Sequence, residues 1–388
     1  MRRRELALLL ALTACGAGAS QVASSTSPAP TSAPSQTPPP SLTPSQTPTL
    51  SQTPSPPPSP PPPPDSTATA PLPPPKPATI RLGEGELAAG DDAFEKGDLV
   101  AAQKHYGAAP AGVPRTVGLA RVRIARVDVP LDYSAAKGNA DVTAASADLA
   151  RASKTAPAFG PAFVELGRAR LLLGDAPGAL DALRKGTQLL PDEAEAHSQL
   201  GIAFLATGHA ADAVREFQRA VDLDPGSPAR HGNLGTALMM TGRTKEAIAE
   251  YETRARIDDG DARAHSDLGT ALLGTQDLER ALTELQRAVQ LDPSRATFHS
   301  NLGYALQQAG RMDRAVAEYH EALRLDPKLV SAWINLATAL SRDPKTRPQA
   351  RAALERARQL SPDDPRVKAN LEELDALEKG VDQPQRSP

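Results

Sequence analysis

A dipeptide that returns at one fixed interval constrains this chain more than any other feature. Leu166-Gly167, Leu200-Gly201, Leu234-Gly235, Leu268-Gly269 and Leu302-Gly303 keep that step, and Leu336-Ala337 continues it. Ala179, Ala213, Ala247, Ala281 and Ala315 follow the glycines at a constant offset, and Leu183, Phe217, Tyr251, Leu285 and Tyr319 come one helical turn later. Pro191, Pro225, Pro293 and Pro327 close most frames. A fixed period in the range of about 20–50 residues means stacked structural repeats. Within the frame Ala194–Ser227, one helix carries Leu200, Phe204 and Leu205, and a second carries Ala213, Val214, Phe217 and Val221. Spacings of three and four place these groups on one helix face. Small Gly201 and Ala213 let two backbones approach. Gly208 suits the left-handed position that ends a helix. Asp224-Pro225 stops the second helix, since proline cannot donate the next hydrogen bond.

The Leu-Gly, Ala, large apolar and Pro positions together resemble the tetratricopeptide repeat, a helix–turn–helix unit. The resemblance covers six frames, residues 159–363. It implies an all-α, right-handed superhelical solenoid whose first helices line a concave groove for a protein or peptide ligand. One helix pair cannot bury its apolar face alone, whereas a stack buries a continuous core.

The chain begins with basic Arg2, Arg3 and Arg4, then an apolar run from Leu6 to Leu12 that is too short to span a bilayer. Leu12-Thr13-Ala14-Cys15 resembles the bacterial lipoprotein signal. That resemblance implies cleavage after residue 14, lipidation of Cys15 and stable anchoring by several acyl chains. Gly16 rather than Asp follows the cysteine, which favours the outer membrane facing the periplasm. Cys15 is the only cysteine, so no disulfide forms within the chain. An ordinary secretory signal is the alternative.

Residues 15–79 form a Pro/Ser/Thr-rich linker, and the stretch 20–79 holds 22 of the 39 prolines. Such a composition has no apolar area to bury and is expected to be disordered. As polyproline II at about 3.1 Å per residue it reaches roughly 190 Å, against about 45 Å for a flexible coil. It reads as a stalk, or as a ligand for proline-binding domains or a glycosylation site. Residues 80–158 read as two divergent repeats. Gly90, Ala93, Phe94, Gly97, Ala102, Tyr106 and Ala109 keep the frame, and helices are expected from about Val117 to Asp128 and from Asn139 to Thr155. The loop of residues 129–138 is either functional or a mark of terminal capping. Asp258-Asp259-Gly260-Asp261 replaces the Asp-Pro turn of the third core frame, without the spacing of a calcium loop. The sixth frame carries one extra residue in its turn. Residues 364–380 form a capping helix with Val367, Leu371, Leu374 and Leu377 on one face, and 381–388 a tail.

Four features of the first helices bear on function. His197, His231, His265 and His299 recur at the interval of the Leu-Gly pairs. Zinc ligands must converge within ~2.1 Å of one point, whereas neighbouring repeats lie roughly 10 Å apart. These histidines are therefore expected to pack or bond within their repeats. Glu165, Gln199, Asn233, Asp267, Asn301 and Asn335 precede each Leu. An amide both donates and accepts, which matches peptide backbone. The pattern resembles the asparagine ladder in the repeats of O-linked N-acetylglucosamine transferase, which implies that Asn233, Asn301 and Asn335, with Gln199, hold an extended peptide. A solvated polar face is the other reading. Thr236, Thr270, Tyr304 and Thr338 join the groove set, beside Ser198, Ser266, Ser300 and Arg168. Tyr304 is the aromatic anchor candidate.

The formal net charge is −3; removing Arg2, Arg3, Arg4 and Glu5 leaves about −5. That balance disfavours nucleic acid as a partner. No phosphate loop, nucleophile elbow or metal-ligand cluster is present, no cofactor is implied, and no length remains for a catalytic domain. The expectation is a non-enzymatic, membrane-anchored scaffold for envelope proteins. It resembles in architecture the repeat-containing lipoproteins that assist pilus-secretin assembly or recruit murein enzymes. The alternative is a periplasmic chaperone or carrier of extended chains, and a third reading is self-association.

Overall fold

A helix pair that cannot cover its own apolar face stacks on the next, and this chain does so nearly throughout its described length. A computed structural model describes residues 80–127 and 134–379. All regular elements among these residues are α-helices. Four precede the core array: α1 (Glu86–Glu95), α2 (Leu99–Ala108), α3 (Val113–Ala125) and α4 (Ala140–Thr155). The array runs through α5 (Gly160–Leu173), α6 (Ala176–Leu189), α7 (Ala194–Ala206), α8 (Ala210–Leu223), α9 (Pro228–Met240) and α10 (Thr244–Ile257). It continues with α11 (Ala262–Leu273), α12 (Leu278–Leu291), α13 (Ala296–Gln308), α14 (Met312–Leu325), α15 (Val330–Ser341) and α16 (Arg347–Leu360). The last helix is α17 (Pro365–Glu378). None of them is long and apolar enough to cross a membrane.

The repeated glycine is explained by how closely the paired helices approach. A Cβ on Gly201 would lie 2.7 Å from the Phe217 ring. On Gly235, Gly269 and Gly303 it would meet Tyr251, Leu285 and Tyr319 at 2.6, 2.6 and 2.7 Å. Gly90 and Tyr106 keep the same relation at 2.5 Å, so α1 and α2 approach as closely as the later pairs. Two helical turns after these glycines, Gly97, Gly174, Gly208, Gly242 and Gly310 turn the chain with φ between 73° and 82°. Gln276 occupies that position in one frame at φ 60°, a conformation that side chains with a Cβ rarely adopt.

The buried apolar residues form clusters that succeed one another along the stack. One gathers Tyr106, Val117, Leu149 and Leu166; the next runs from Val164 through Phe217 to Leu272; a third runs from Leu282 through Tyr319 to Leu374. Residues Val367 and Leu374 of α17 are buried against the final pair, which closes the exposed end. Asp364 caps this helix by accepting from the Arg366 amide. Helix α3 begins at Val113, one turn before the expected Val117. Pro114 lies in its first turn, where its missing N–H has no helical partner to lose. The expected loop at 129–138 falls partly outside the described residues, and so do Cys15, the signal and the linker up to residue 79.

Helices within a pair are in contact, and each second helix touches the next first helix. The first helices also meet their own kind: α1 with α3, α3 with α5, α5 with α7, α7 with α9, α11 with α13, α13 with α15 and α15 with α17. The weakest such step is α9 to α11, and no two second helices meet comparably. A stack closed along its first helices and spread along its second ones is curved, with the first helices on the concave side.

Candidate functional site

The four spaced histidines are joints within and between repeats. His197, His231, His265 and His299 place Nδ1 at 2.6–2.7 Å from Glu216, Glu250, Glu284 and Glu318 on the partner helix. Their Nε2 atoms lie 2.9–3.1 Å from the carbonyls of Pro191, Pro225, Asp259 and Pro293. Trp333 Nε1 donates to the Pro327 carbonyl in the same way, at 3.0 Å. One ring nitrogen thus engages the second helix of its own repeat and the other the turn that closes the repeat before. Among the described residues no group of His, Cys, Asp and Glu is placed to hold a metal. The bond to Glu216 raises the pKa of His197 against the opposing effect of burial.

The amide column divides into engaged and free members. Gln199 was expected in the groove, but only 2% of it is exposed, and its amide donates to Glu195 at 2.7 Å. It is walled off by the chain's own N-terminal segment, since Ile80 lines the same small cavity. Glu165 accepts from Arg121 and Asp267 from Arg254. Asn301 Nδ2 lies 3.2 Å from Ser266 Oγ and 3.5 Å from Thr270 Oγ1. Asn233 and Asn335 are half-buried, and their side-chain amides make no hydrogen bond among the described residues.

The difference comes from the preceding repeat. An amide in this column faces the residue three places after its counterpart one repeat earlier. For Asn301 that residue is Thr270, which can bond. Asn301 lies closer still to Ser266; at the equivalent places Asn335 has Ser300 and Tyr304, and Asn233 has Ile202 and a Ser198 held by Arg230, and none of these takes the amide. Asn370 on α17 extends the column one residue late, because of the insertion in the sixth frame. Its Oδ1 accepts from Thr338 Oγ1 at 3.0 Å. Thr338 is therefore claimed by the capping helix rather than presented to a ligand. Thr236 and Thr270 back-bond to the carbonyls of Gly232 and Ser266, and Thr236 also meets the Tyr251 hydroxyl at 3.2 Å. Tyr304 is half-buried on α13.

Three buried arginines, unremarked in the sequence, brace the groove wall. Arg121 joins Glu165 at 2.7 Å and Asp91 at 2.9 Å. Burial lowers its pKa, but Glu165, Tyr106 and Asp91 hold it above the ordinary value. Arg230 reaches Asp224 at 3.0 Å and Ser198 at 2.7 Å. Arg254 reaches Asp261 at 2.6 Å and Asp267 at 2.8 Å. Nearby, Arg263 is half-buried and makes no hydrogen bond or ion pair through its guanidinium among the described residues; burial lowers its pKa. Two of the three carried a signal. Arg230 stands between Ala196 and Ala264, and Arg254 between Ala220 and Ala288, in columns that are otherwise mostly small.

Comparison with family models matches the tetratricopeptide repeat at residues 204–270, 266–330 and 301–365. Comparison with curated proteins returns no match. Among solved structures, the APC/C hetero-tetramer Cut9–Hcn1 is similar with a TM-score of 0.57 and 16% identity, over 75% of this chain and 57% of that one. PilF of Pseudomonas aeruginosa gives a TM-score of 0.47 and 18% identity, over 55% of this chain and 97% of that one. YrrB, described as a TPR protein with an unusual peptide-binding site, gives 0.39 and 21%, over 50% and 99%. At these identities the likeness concerns the fold alone. Residues 204–365 thus carry tetratricopeptide repeats within a helical solenoid of that kind.

Proposed function

We propose that this chain is a non-enzymatic interaction scaffold that holds a protein partner along α9–α15 and is tethered to a bacterial envelope membrane through Cys15. The observation that carries the binding reading is the pair of half-buried, unbonded amides, Asn233 and Asn335, on the concave side. Half-buried amides without internal partners suit the donor–acceptor pattern of a backbone, and Tyr304 lies between them as an apolar anchor. The tether reading rests on the Leu12-Thr13-Ala14-Cys15 sequence and the proline-rich stretch after it. Partners of this class are envelope assembly proteins, such as those of pilus, secretion or cell-wall complexes. The acidic chain is not suited to nucleic acid.

A crosslinking pull-down from native envelopes tests both parts, with wild type, Cys15→Ser and Asn233→Ala/Asn335→Ala. One or a few assembly proteins lost from both variants support the scaffold. Unchanged fractionation and capture by Cys15→Ser would remove the anchor, and unchanged capture by the Asn pair would remove the amide site. A chaperone or carrier of extended chains is the second reading, favoured by the extended segment already seated on the first-helix face. Capture of many unrelated chains, abolished in the Asn variant, would replace the scaffold with it.

A further inference from the structure

Residues 80–82 lie directly before α1 and belong to no helix. Their burial alternates. Ile80 is 5% exposed, Arg81 is exposed and Leu82 is 4% exposed. Period-two burial is that of an extended strand lying on a surface. The two apolar side chains enter different clusters. Ile80 joins the one containing Val164, and Leu82 the one containing Tyr106 and Val117.

The backbone of this segment is held by side chains, as in a complex, and not by another strand or helix. The Ile80 carbonyl accepts from Arg121 Nη2 at 3.0 Å. The Leu82 amide donates to Asp91 Oδ2 at 2.8 Å. Arg121 and Asp91 are themselves buried and bonded to each other at 2.9 Å. Arg81 pairs with Asp92 at 2.5 Å on the outside. The floor is built from groove positions. A cavity of ≈20 Å³, about the size of one water, lies between Ile80, Arg121, Glu165, Arg168 and Gln199. Glu165 Oε2 and Arg168 Nε are both buried there without a hydrogen-bond partner. Glu165, Arg168 and Gln199 are first-helix residues of the core array; Glu165 and Gln199 share the frame column of the free amides further along, and Arg168 that of Tyr304.

We infer that the N-terminal end of the concave face is a binding site for an extended apolar–basic–apolar strand, filled in cis by Ile80-Arg81-Leu82. Main-chain recognition by Arg121 and Asp91, with alternate side chains in two apolar pockets, is the general way extended peptides are bound. The segment directly follows the proline-rich stretch that ends at residue 79, so the site joins that stretch to the solenoid. While the cis strand is in place, an outside peptide has only the groove from α9 onward. When it leaves, the end formed by α1, α3, α5 and α7 opens to a strand of the same pattern. The inference rests on the groove reading only for what the opened end would accept.

The test uses the full chain and a labelled peptide with the sequence of residues 76–85. In the Ile80→Asp/Leu82→Asp variant the cis strand is released. The peptide should bind it at least about tenfold tighter than wild type, because an occupied site lowers apparent affinity by the fraction that is open. A peptide carrying the same two Asp substitutions should not bind. Equal affinity for both proteins, or no binding to either, overturns the inference. Should the variant lose α1 and α2, hydrogen exchange on wild type decides. The Leu82 amide should exchange as slowly as amides inside α3, and exchange within about tenfold of an unstructured peptide overturns the inference. Failure here with the Asn233/Asn335 effect intact would leave the α9–α15 site standing.

Discussion

Replacing Arg121 by Met should unfasten the N-terminal repeats while leaving the distal ones as they are. The guanidinium is 1% exposed and serves four groups. It donates to Glu165 at 2.7 Å, to Asp91 at 2.9 Å, to the Ile80 carbonyl at 3.0 Å and to the Tyr106 hydroxyl at 3.4 Å. Met fills much of the volume but leaves the buried Asp91 without its ion-pair partner and Glu165 with only Arg168, at 3.8 Å. Removing one partner of a buried ion pair costs about 3–5 kcal/mol. At about 1.4 kcal/mol per tenfold, local opening should become roughly 100- to 4,000-fold more frequent. Solenoid repeats couple only to their neighbours, so the loss should stay within α1–α5. Native-state hydrogen exchange read peptide by peptide measures this. Protection should collapse in α1–α5 and change by less than about 0.5 kcal/mol in α11–α16. The triple variant Asp91→Asn/Arg121→Met/Glu165→Gln should recover at least half of the loss, because it removes the stranded charges. A cost below about 1 kcal/mol, or a loss spread evenly along the solenoid, would refute the assignment of Arg121 as a buried charge joint.

Three further outcomes are expected. Gln276→Gly relieves a left-handed residue at a turn where other frames use glycine, and should raise stability by about 0.5–1 kcal/mol in urea unfolding; a decrease would mean that the Gln276 side chain is needed. Gly235→Ala places a Cβ 2.6 Å from the Tyr251 ring, and should cost about 1–3 kcal/mol in the same assay; a neutral effect would show that the helices can separate there. His197 binds a proton more readily folded than unfolded, so its contribution is full below the unfolded value of about 6.5 and fades as pH rises through the higher folded value. The fall in urea midpoint between about pH 6 and 8 should therefore be smaller in His197→Gln, and an unchanged slope would exclude a stabilising imidazolium–Glu216 pair.

The periodic part of the fold was legible because every constraint on it is local. Gly201 and Phe217 must touch across one helical hairpin, so their types are set within a single repeat, and the same holds for Gly208 at the turn after its helix. What was not legible depends on contacts between repeats or across long separations. The Ile80 carbonyl meets Arg121 41 residues away, and nothing in the sequence around residue 80 marks it as part of the groove rather than the end of the linker. The amide column was found, but its division was not. Asn301 is engaged by Ser266 and Thr270 one repeat earlier while Asn335, with Ser300 and Tyr304 there, is not, which becomes visible only when the repeats are stacked. Asn370 escaped notice because one inserted residue in the sixth frame shifts it out of step. Thr338 was placed in the groove for the same reason, as the helix that covers it carries Asn370.

The third core frame, which looked merely worn, is better understood as a single substitution with its consequences. Arg254 occupies a column that elsewhere holds Gly186, Ala220, Ala288 and Ala322. An arginine there needs space, and Gly232 gives it: a Cβ at that position would lie 2.9 Å from Arg254 Nη1, where the other core frames place Val164, Ser198, Ser266, Ser300 or Ile334. It also needs counter-charge. Asp267 supplies it at 2.8 Å in place of the column's amide, and Asp261 at 2.6 Å beside Gly260, where the Asp-Pro turn is lost. The same insertion falls at the α9–α11 step, the weakest contact between successive first helices. Gly232, Asp261 and Asp267 therefore serve one buried guanidinium, whereas Asp259, at the lost proline, pairs with Arg287. The functional consequence follows from where Arg254 stands. Between Asn233 and Asn335 lie the buried Arg254, paired with Asp261 and Asp267, and the half-buried Arg263, so a partner seated on both amides, as proposed, would pass the Arg263 guanidinium. Such a partner is expected to carry an acidic or polar residue there rather than a continuous apolar run.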